Sequence, residues 1–314
     1  MNNILKAIES AKKIVILSHI IVDGDGVGSA LALFHLCKKF NKQVCVAIDS
    51  ALPTHITFLE DTALVNKNVD FDCDLVIYTD CNNPDRVGRL KFKVGKHKNK
   101  INIDHHFDNT EFGRLNLVKK GYSSACEVIY DLCADNDIQI DEAMARCMLV
   151  GILTDTGNLS YDSATSDTFR KVATLLDITG LSIDKFTRPL FASDSIEVFN
   201  LKKLAYEKIE FSTDFSKAVI AVSFDDMKRV GVDLSETKSI IGVGFGLEPV
   251  HVLVAITEAE PGVCFVSFRT KGSIDACKMA SAFGGGGHKN ASGCRIYDRL
   301  TNVVASVRKV IKFD

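Results

Sequence analysis

Histidines and aspartates stand at the ends of short apolar runs in this sequence. His19, Asp23 and Asp25 follow Ile14–Ser18 directly, Asp80 closes the run from Asp74 to Thr79, and Asp104, His105 and His106 close the run that starts at Lys100. Asp155 follows a helical stretch, in the segment Leu153 to Gly157. If the runs are parallel strands, their carboxyl ends face a common crevice, which is where open α/β sheets bind ligands. These five aspartates and three histidines, gathered there, could not all be ionised and unpaired, because desolvated carboxylates repel and raise one another's pKa. Divalent cations would resolve the conflict. Imidazole nitrogen with carboxylate oxygen suits Mn²⁺, Fe²⁺ or Zn²⁺, whereas magnesium prefers oxygen ligands and retained water. Each piece alone is weak: Asp23 among Gly24, Gly26 and Gly28 reads equally as a turn ahead of a helix, Asp80 as a strand-end turn, Asp155 as a helix C-terminal residue. Four such segments, each at the matching end of its element, point to a shared metal site.

The elements that must position these residues follow from periodicity. β-branched runs alternate with amphipathic stretches: Ile14–Ser18, Val27–Phe40, Gln43–Ile48, Asp74–Thr79 and Lys100–Asp104, a βαβ rhythm that predicts a parallel sheet. Helices are predicted over Ser124–Ala134, Asp141–Leu153 and Ser166–Leu176, with Ala145, Met148, Leu149 and Ile152 on one face. From about Phe211 the pattern changes to the strands Ala218–Phe224, Val250–Thr257 and Val263–Arg269, and Pro261-Gly262 predicts a hairpin between the last two. The expected fold is therefore α/β throughout, with a parallel-sheet N-terminal domain (residues 1–185), a helical linker (186–205) around Pro189 and a smaller α/β C-terminal domain (206–314).

Composition narrows the function. With 46% hydrophobic and 25% charged residues the chain is globular, and no apolar run is long enough to span a bilayer. Charged residues interrupt the N-terminal apolar stretch and no small-residue cleavage site follows, so a cytoplasmic location is expected. Ten cysteines lie singly from Cys37 to Cys294 without a CxxC pair, which reads as reduced, mostly buried thiols. A net charge of −2 argues against a long nucleic acid as partner, since counterion displacement needs an excess of Lys and Arg. The basic stretch Lys91–Lys100 is expected to be a solvated loop between two strands.

The segments Ser18–Ser29, Tyr78–Asn82, Ile103–Asn109 and Ile152–Gly157, in that order, resemble the four motifs of the DHH phosphoesterase superfamily. Ser267–Cys294, with its glycine-rich GGGGHxNASG pattern, resembles the DHH-associated C-terminal domain. Among relatives the pattern is most similar to the nanoRNase and phosphoadenosine-phosphate phosphatase group. That resemblance implies an active site in the cleft between the domains and two cations, manganese by expectation. One would be held by His19, Asp23 and Asp80, the other by Asp25, Asp80, His105 and Asp155, with Asp80 bridging. Asp104 would accept from a histidine ring N–H to fix its tautomer, and His106 would point at the substrate phosphate. Arg269 and the stretch of Gly285, Gly286, Gly287, His288 and Asn290 would hold a substrate phosphate, and Ser292 and Gly293 are expected to continue that loop.

The implied activity is hydrolysis of short 5′-phosphorylated oligoribonucleotides, of linear dinucleotides such as pGpG and pApA, or of 3′-phosphoadenosine 5′-phosphate, in a group that also includes phosphodiesterases for cyclic dinucleotides. Two alternatives compete: an inorganic pyrophosphatase of family II, which shares the N-terminal motifs but not the C-terminal pattern, and a nucleotide sensor that has lost catalysis, which a missing ligand would signal. Neither a membrane nor a long nucleic acid is expected as partner; a homodimer is compatible with the resemblance.

Overall fold

The computed structural model describes residues 3–66, 68–69, 72–287 and 289–314. The chain divides into two compact units, Met1–Ser193 and Asp194–Asp314.

In the first unit, helix α1 (Asn3–Ser10) leads into β1 (Lys13–Leu17), α2 (Gly24–Lys39), β2 (Gln43–Ala47), β3 (Val65–Asn66) and β4 (Leu75–Thr79). There follow α3 (Lys91–Val94), β5 (Lys100–Asp104), β6 (Leu115–Val118), α4 (Ala125–Ala134), α5 (Glu142–Asp155), α6 (Ser166–Thr179) and α7 (Asp184–Phe191). The strands form one parallel sheet in the order β3-β2-β1-β4-β5-β6, as the βαβ rhythm predicts. Side-chain caps set the starts of α2, α4, α5 and α6. Asp23, Ser124 and Asp141 accept from Gly26, Glu127 and Met144 backbone N–H groups, and Thr165 with Thr168 closes a capping box on α6. The strands are apolar on both faces because both are covered. Ile14, Ile16 and Ile77 pack into the core under α2 and α5, while Val15, Leu17, Val76 and Tyr78 face a second core with Val87 and Leu90. Helices α2 and α5 come close enough that a Cβ on Gly28 would sit 2.4 Å from the Cys147 carbonyl, so only glycine fits there.

The second unit contains α8 (Ile196–Lys208), β7 (Glu210–Phe211), β8 (Lys217–Val222), α9 (Phe224–Val230), β9 (Val252–Glu260), β10 (Val263–Thr270), α10 (Ala276–Ser281), β11 (Gly286–Gly287), β12 (Ala291–Ile296) and α11 (Leu300–Ile311). Its sheet runs β11-β12-β10-β9-β8-β7, with β8 and β9 parallel and the other pairs antiparallel. One face carries Val254, Val266 and Phe268 against Val303 and Val307 of α11; the other carries Ala218, Ile220 and Leu253 against Leu201 and Leu204 of α8. The Pro261-Gly262 hairpin joins β9 to β10, with Gly262 at φ +81°.

Two sequence expectations are corrected. Ser292 and Gly293 do not continue a loop: they lie in β12, paired with β10 and β11, because alternate residues of that short run, Ser292 and Cys294, point into buried positions. The Lys91–Lys100 stretch begins with the single helical turn α3, whose Val94 is buried. Strand β6, four residues at the sheet edge of which Asn116 is exposed and the others half-buried, has too short a pattern to be read in advance.

Candidate metal centre

The strand order of the first sheet reverses between β1 and β4, and at such a switch point the adjacent strand ends leave a crevice. His19 leaves β1 and Asp80 leaves β4 at that point. The loop from Ser18 to Asp23 is held by Ile20 N donating to the Arg86 carbonyl at 2.7 Å. Ile21 adopts φ +56° and Asp80 φ +53°. A left-handed β-branched residue is strained by about 1–2 kcal/mol, and such outliers collect at functional sites.

Two groups of donors meet around the Asp80 carboxylate. On one side His19 Nε2 lies 3.2 Å from Asp80 Oδ2 and 3.6 Å from Asp23 Oδ1. On the other, His105 Nε2 lies 3.5 Å from Asp80 Oδ1, 3.2 Å from Asp155 Oδ2 and 3.9 Å from Asp25 Oδ2. The two oxygens of one carboxylate therefore address two different clusters. The far nitrogens of both rings face carbonyl oxygens, Nδ1 of His19 that of Ile20 at 2.9 Å and Nδ1 of His105 that of Tyr122 at 3.1 Å. With protons there, both Nε2 atoms present lone pairs inward, the tautomer that ligation requires.

Hydrogen bonds fix two of the carboxylates. Asp25 accepts from Ala125 N at 2.6 Å and Cys126 N at 3.0 Å, so the N-terminus of α4 grips a side chain from the first turn of α2. Asp104 accepts from His106 Nδ1 at 2.8 Å and from Asn109 Nδ2 at 2.5 Å. His106 Nδ1 also lies 3.6 Å from Asp80 Oδ1.

Packing this much charge together perturbs every group. Burial and the charges of Asp80 and Asp155 push the Asp25 carboxyl well above the usual carboxylate range. Desolvation, with Asp80 and Asp23 nearby, raises Asp155 to about 6 against the pull of His105. Burial works to lower His19, but Asp23 and Asp80 outweigh it and lift the ring to about 9. Burial also opposes the charge on His105, and Asp80 and Asp155 overcome it to raise that ring well above its usual value. Asp80 is held below the carboxylate range despite burial, by its hydrogen bonds with His105 and His19. Protons alone thus settle the conflict only by occupying the inward-facing positions. Four converging carboxylates and two oriented imidazoles fit divalent cations in those positions instead.

The sequence-predicted residues His19, Asp23, Asp25, Asp80, Asp104, His105, His106 and Asp155 all fall in these groups. Those of the second unit are placed differently. Arg269 lies on β10, its Nη1 donating to the Phe268 carbonyl at 3.1 Å. Gly286 and Gly287 form β11, and a Cβ on Gly285 would fall 2.2 Å from the Gly293 carbonyl, so close strand packing demands glycine there. Asn290 Nδ2 braces the neighbouring turn by donating to Thr270 O at 3.1 Å. His288 lies outside the described residues.

Sequence reasoning missed the supports. Glu127, 3% exposed, accepts from Ser123 N and Oγ and pairs with Lys171 Nζ at 3.1 Å, which in turn reaches Asp131 at 2.8 Å and Asp167 at 2.9 Å. Asn109 was equally silent. Its only signal is its place five residues after Asp104 in the same motif.

The chain is similar to known proteins over most of its length. Residues 13–152 match the DHH family, N-terminal domain, and residues 229–312 match the DHHA1 domain. The probable bifunctional oligoribonuclease and PAP phosphatase NrnA of Streptococcus mutans is 27% identical over 95% of this chain and 94% of its own. The protein of the same name from Thermus thermophilus is 28% identical over 93% of this chain and 86% of its own. Among solved structures, an exopolyphosphatase-related protein from Bacteroides fragilis shares the fold with a TM-score of 0.86 at 23% identity, over 98% of this chain and 94% of that one.

Proposed function

From the premise that the chain belongs to the DHH family, its N-terminal domain followed by a DHHA1 domain, we propose that it hydrolyses phosphoester bonds of short nucleotides with two divalent cations, manganese the favoured one. The observation that carries the reading is the Asp80 carboxylate, whose Oδ2 addresses His19 and whose Oδ1 addresses His105. One cation would be held by His19, Asp23 and Asp80, the other by Asp25, Asp80, His105 and Asp155. When bound, such cations would supply a water of lowered pKa and neutralise charge on phosphate oxygens. The imidazole donors favour manganese over magnesium.

The chain's own groups do the rest. Ile20 and Tyr122 carbonyls hold the two ligating rings in one tautomer, and the α4 N-terminus fixes Asp25. Asp104 accepts from His106 Nδ1 and, with Asp80, raises the ring's pKa against burial, which favours the protonated form able to donate to a substrate phosphate oxygen. No protein nucleophile is required. Burial and nearby carboxylates push the Cys81 and Cys126 thiols well above their usual pKa, which leaves them unreactive, and Ser123 Oγ is committed to Glu127. Arg269, Gly285, Gly286, Gly287, His288 and Asn290 are assigned to gripping a non-scissile phosphate.

The relatives named as oligoribonucleases and PAP phosphatases support oligoribonucleotides and phosphoadenosine phosphate as substrates, and we extend the reading to short 5′-phosphorylated dinucleotides. The test is a manganese-dependent panel of phosphoadenosine phosphate, pGpG, pApA, cyclic dinucleotides, pyrophosphate and RNA from dimers to ~10-mers, the longest probing whether a nearly neutral protein can hold many phosphates. Cleavage of dimers with falling rates on longer RNA is expected. Turnover of pyrophosphate alone, or of nothing, would overturn the proposal.

A further inference from the structure

A different set of donors lies further along the same two helices. His35 of α2, Asp61 of the 3₁₀ turn Glu60–Leu64 and Cys147 of α5 bring one ligand atom each within 4.8 Å of one another. His35 Nε2 is 3.0 Å from Asp61 Oδ2, and Cys147 Sγ is 3.9 Å from the same oxygen. A tetrahedral cation with bonds of about 2.3 Å to sulfur and about 2.0 Å to nitrogen and oxygen holds such donors roughly 3.3–3.6 Å apart. The two distances to Asp61 Oδ2 bracket that range, each within a few tenths of an ångström of it.

This place is separate from the centre above. Asp25 and His35 are ten residues apart on α2, and Cys147 and Asp155 eight apart on α5, which is about 15 Å and about 12 Å of helix. The chemistry differs too. The centre at Asp80 offers nitrogen and oxygen, whereas a thiolate selects zinc and its like over manganese or magnesium. Cys147 is fully buried, while the His35 and Asp61 side chains keep 19% and 26% exposure, so the cluster opens to solvent on the side where a fourth donor, such as water, would enter. A neutral imidazole, a carboxylate and a thiolate carry two negative charges together, which a dication balances. The plainer account is an ion pair of His35 with Asp61 beside a packed cysteine.

We propose that His35, Asp61 and Cys147 form a separate site for zinc or a zinc-like divalent cation, which ties the Glu60–Leu64 turn to helices α2 and α5. Cobalt(II) reports it directly, because coordination by thiolate gives a near-ultraviolet charge-transfer band that nitrogen and oxygen ligands do not. Metal-stripped protein loaded with cobalt should show that band, and Asp80→Ala should keep it. Cys126→Ser, which alters the cysteine nearest Asp25, should keep it as well, whereas Cys147→Ser should lose it and His35→Gln should weaken it several-fold. Zinc should raise the melting temperature of the unaltered chain and not that of Cys147→Ser. Should Cys147→Ser fail to fold, His35→Gln on the partly exposed side decides by the same two readings. Absence of the band in the unaltered chain, or its survival in Cys147→Ser, would overturn the proposal and leave the ion pair as the whole account.

Discussion

Replacing Lys171 with methionine should destabilise the first unit by about 3 kcal/mol, the low end of the range for removing one partner of a buried ion pair. The side chain of Lys171 is 7% exposed and that of Glu127 4%, so neither charge is relieved by solvent. Methionine keeps the length and most of the packing between Tyr122 and Tyr130, over whose rings the ammonium now sits. What it removes is the countercharge. Glu127 would retain donors in Ser123 N at 2.9 Å, Ser123 Oγ at 2.7 Å and Thr168 Oγ1 at 3.3 Å, which is why the low end applies. Adding Glu127→Gln, which removes the stranded charge at constant shape, should recover most of the loss and leave about 1 kcal/mol, since exchanging both partners is far cheaper than exchanging one. The assay is urea unfolding of metal-stripped protein followed by far-ultraviolet circular dichroism, with the transition of each unit fitted separately. A loss under about 1 kcal/mol in the single variant, or no recovery in the double, would show that Glu127 does not depend on Lys171 and refute the reasoning.

Asp80→Ala should abolish turnover and lower the bound metal, because one carboxylate is shared by both clusters; two bound cations with normal turnover would refute its assignment. Metal affinity should weaken as pH falls, since a cation at His19 Nε2 must expel a proton held with a pKa of about 9, and below about 6 a second proton on Asp155 adds to the competition. Equilibrium dialysis across that range reads the slope, and a pH-independent affinity would count against His19 as a ligand. Activity removed by EDTA should return with manganese better than with magnesium; equal rescue would argue against imidazole ligation. Arg269→Ala should cost about 2–5 kcal/mol on phosphorylated dinucleotides and almost nothing on bis(p-nitrophenyl) phosphate, which lacks a second phosphate to grip, with metal content unchanged. Equal losses on both substrates would assign Arg269 to the fold.

What could be read in advance was whatever a local pattern records. The apolar runs ending at His19, Asp80 and Asp104 announced both the strands and the crevice they share, and Ser124, Asp141 and Thr165 mark helix starts by their own chemistry. Long-range pairing leaves no such mark. Nothing around Asp25 says that α4, a hundred residues on, will cap it, and Lys171 beside Asp167 reads as an ordinary surface pair until Glu127 is buried against it. Strand β12 was hidden for another reason: Ser292 and Gly293 lack β-propensity, and only pairing on both sides makes them a strand. Asn290 was legible as a polar residue in a glycine-rich stretch, but its bond to Thr270 depends on the turn of a neighbouring strand.

The parallel pairing of β1 with β4 joins Ile14 to Leu75, across a span that includes α2, β2 and β3. Such a pair closes late, because a long chain segment must be immobilised before any contact rewards it. His19 and Asp80 meet only once that register is set, and Asp155 arrives later still along the chain. A cation that needs all of them therefore finds nothing to bind during most of refolding. It should leave the folding rate almost unchanged and slow unfolding instead, so that the metal acts as a latch on a finished sheet and not as the seed around which the sheet forms.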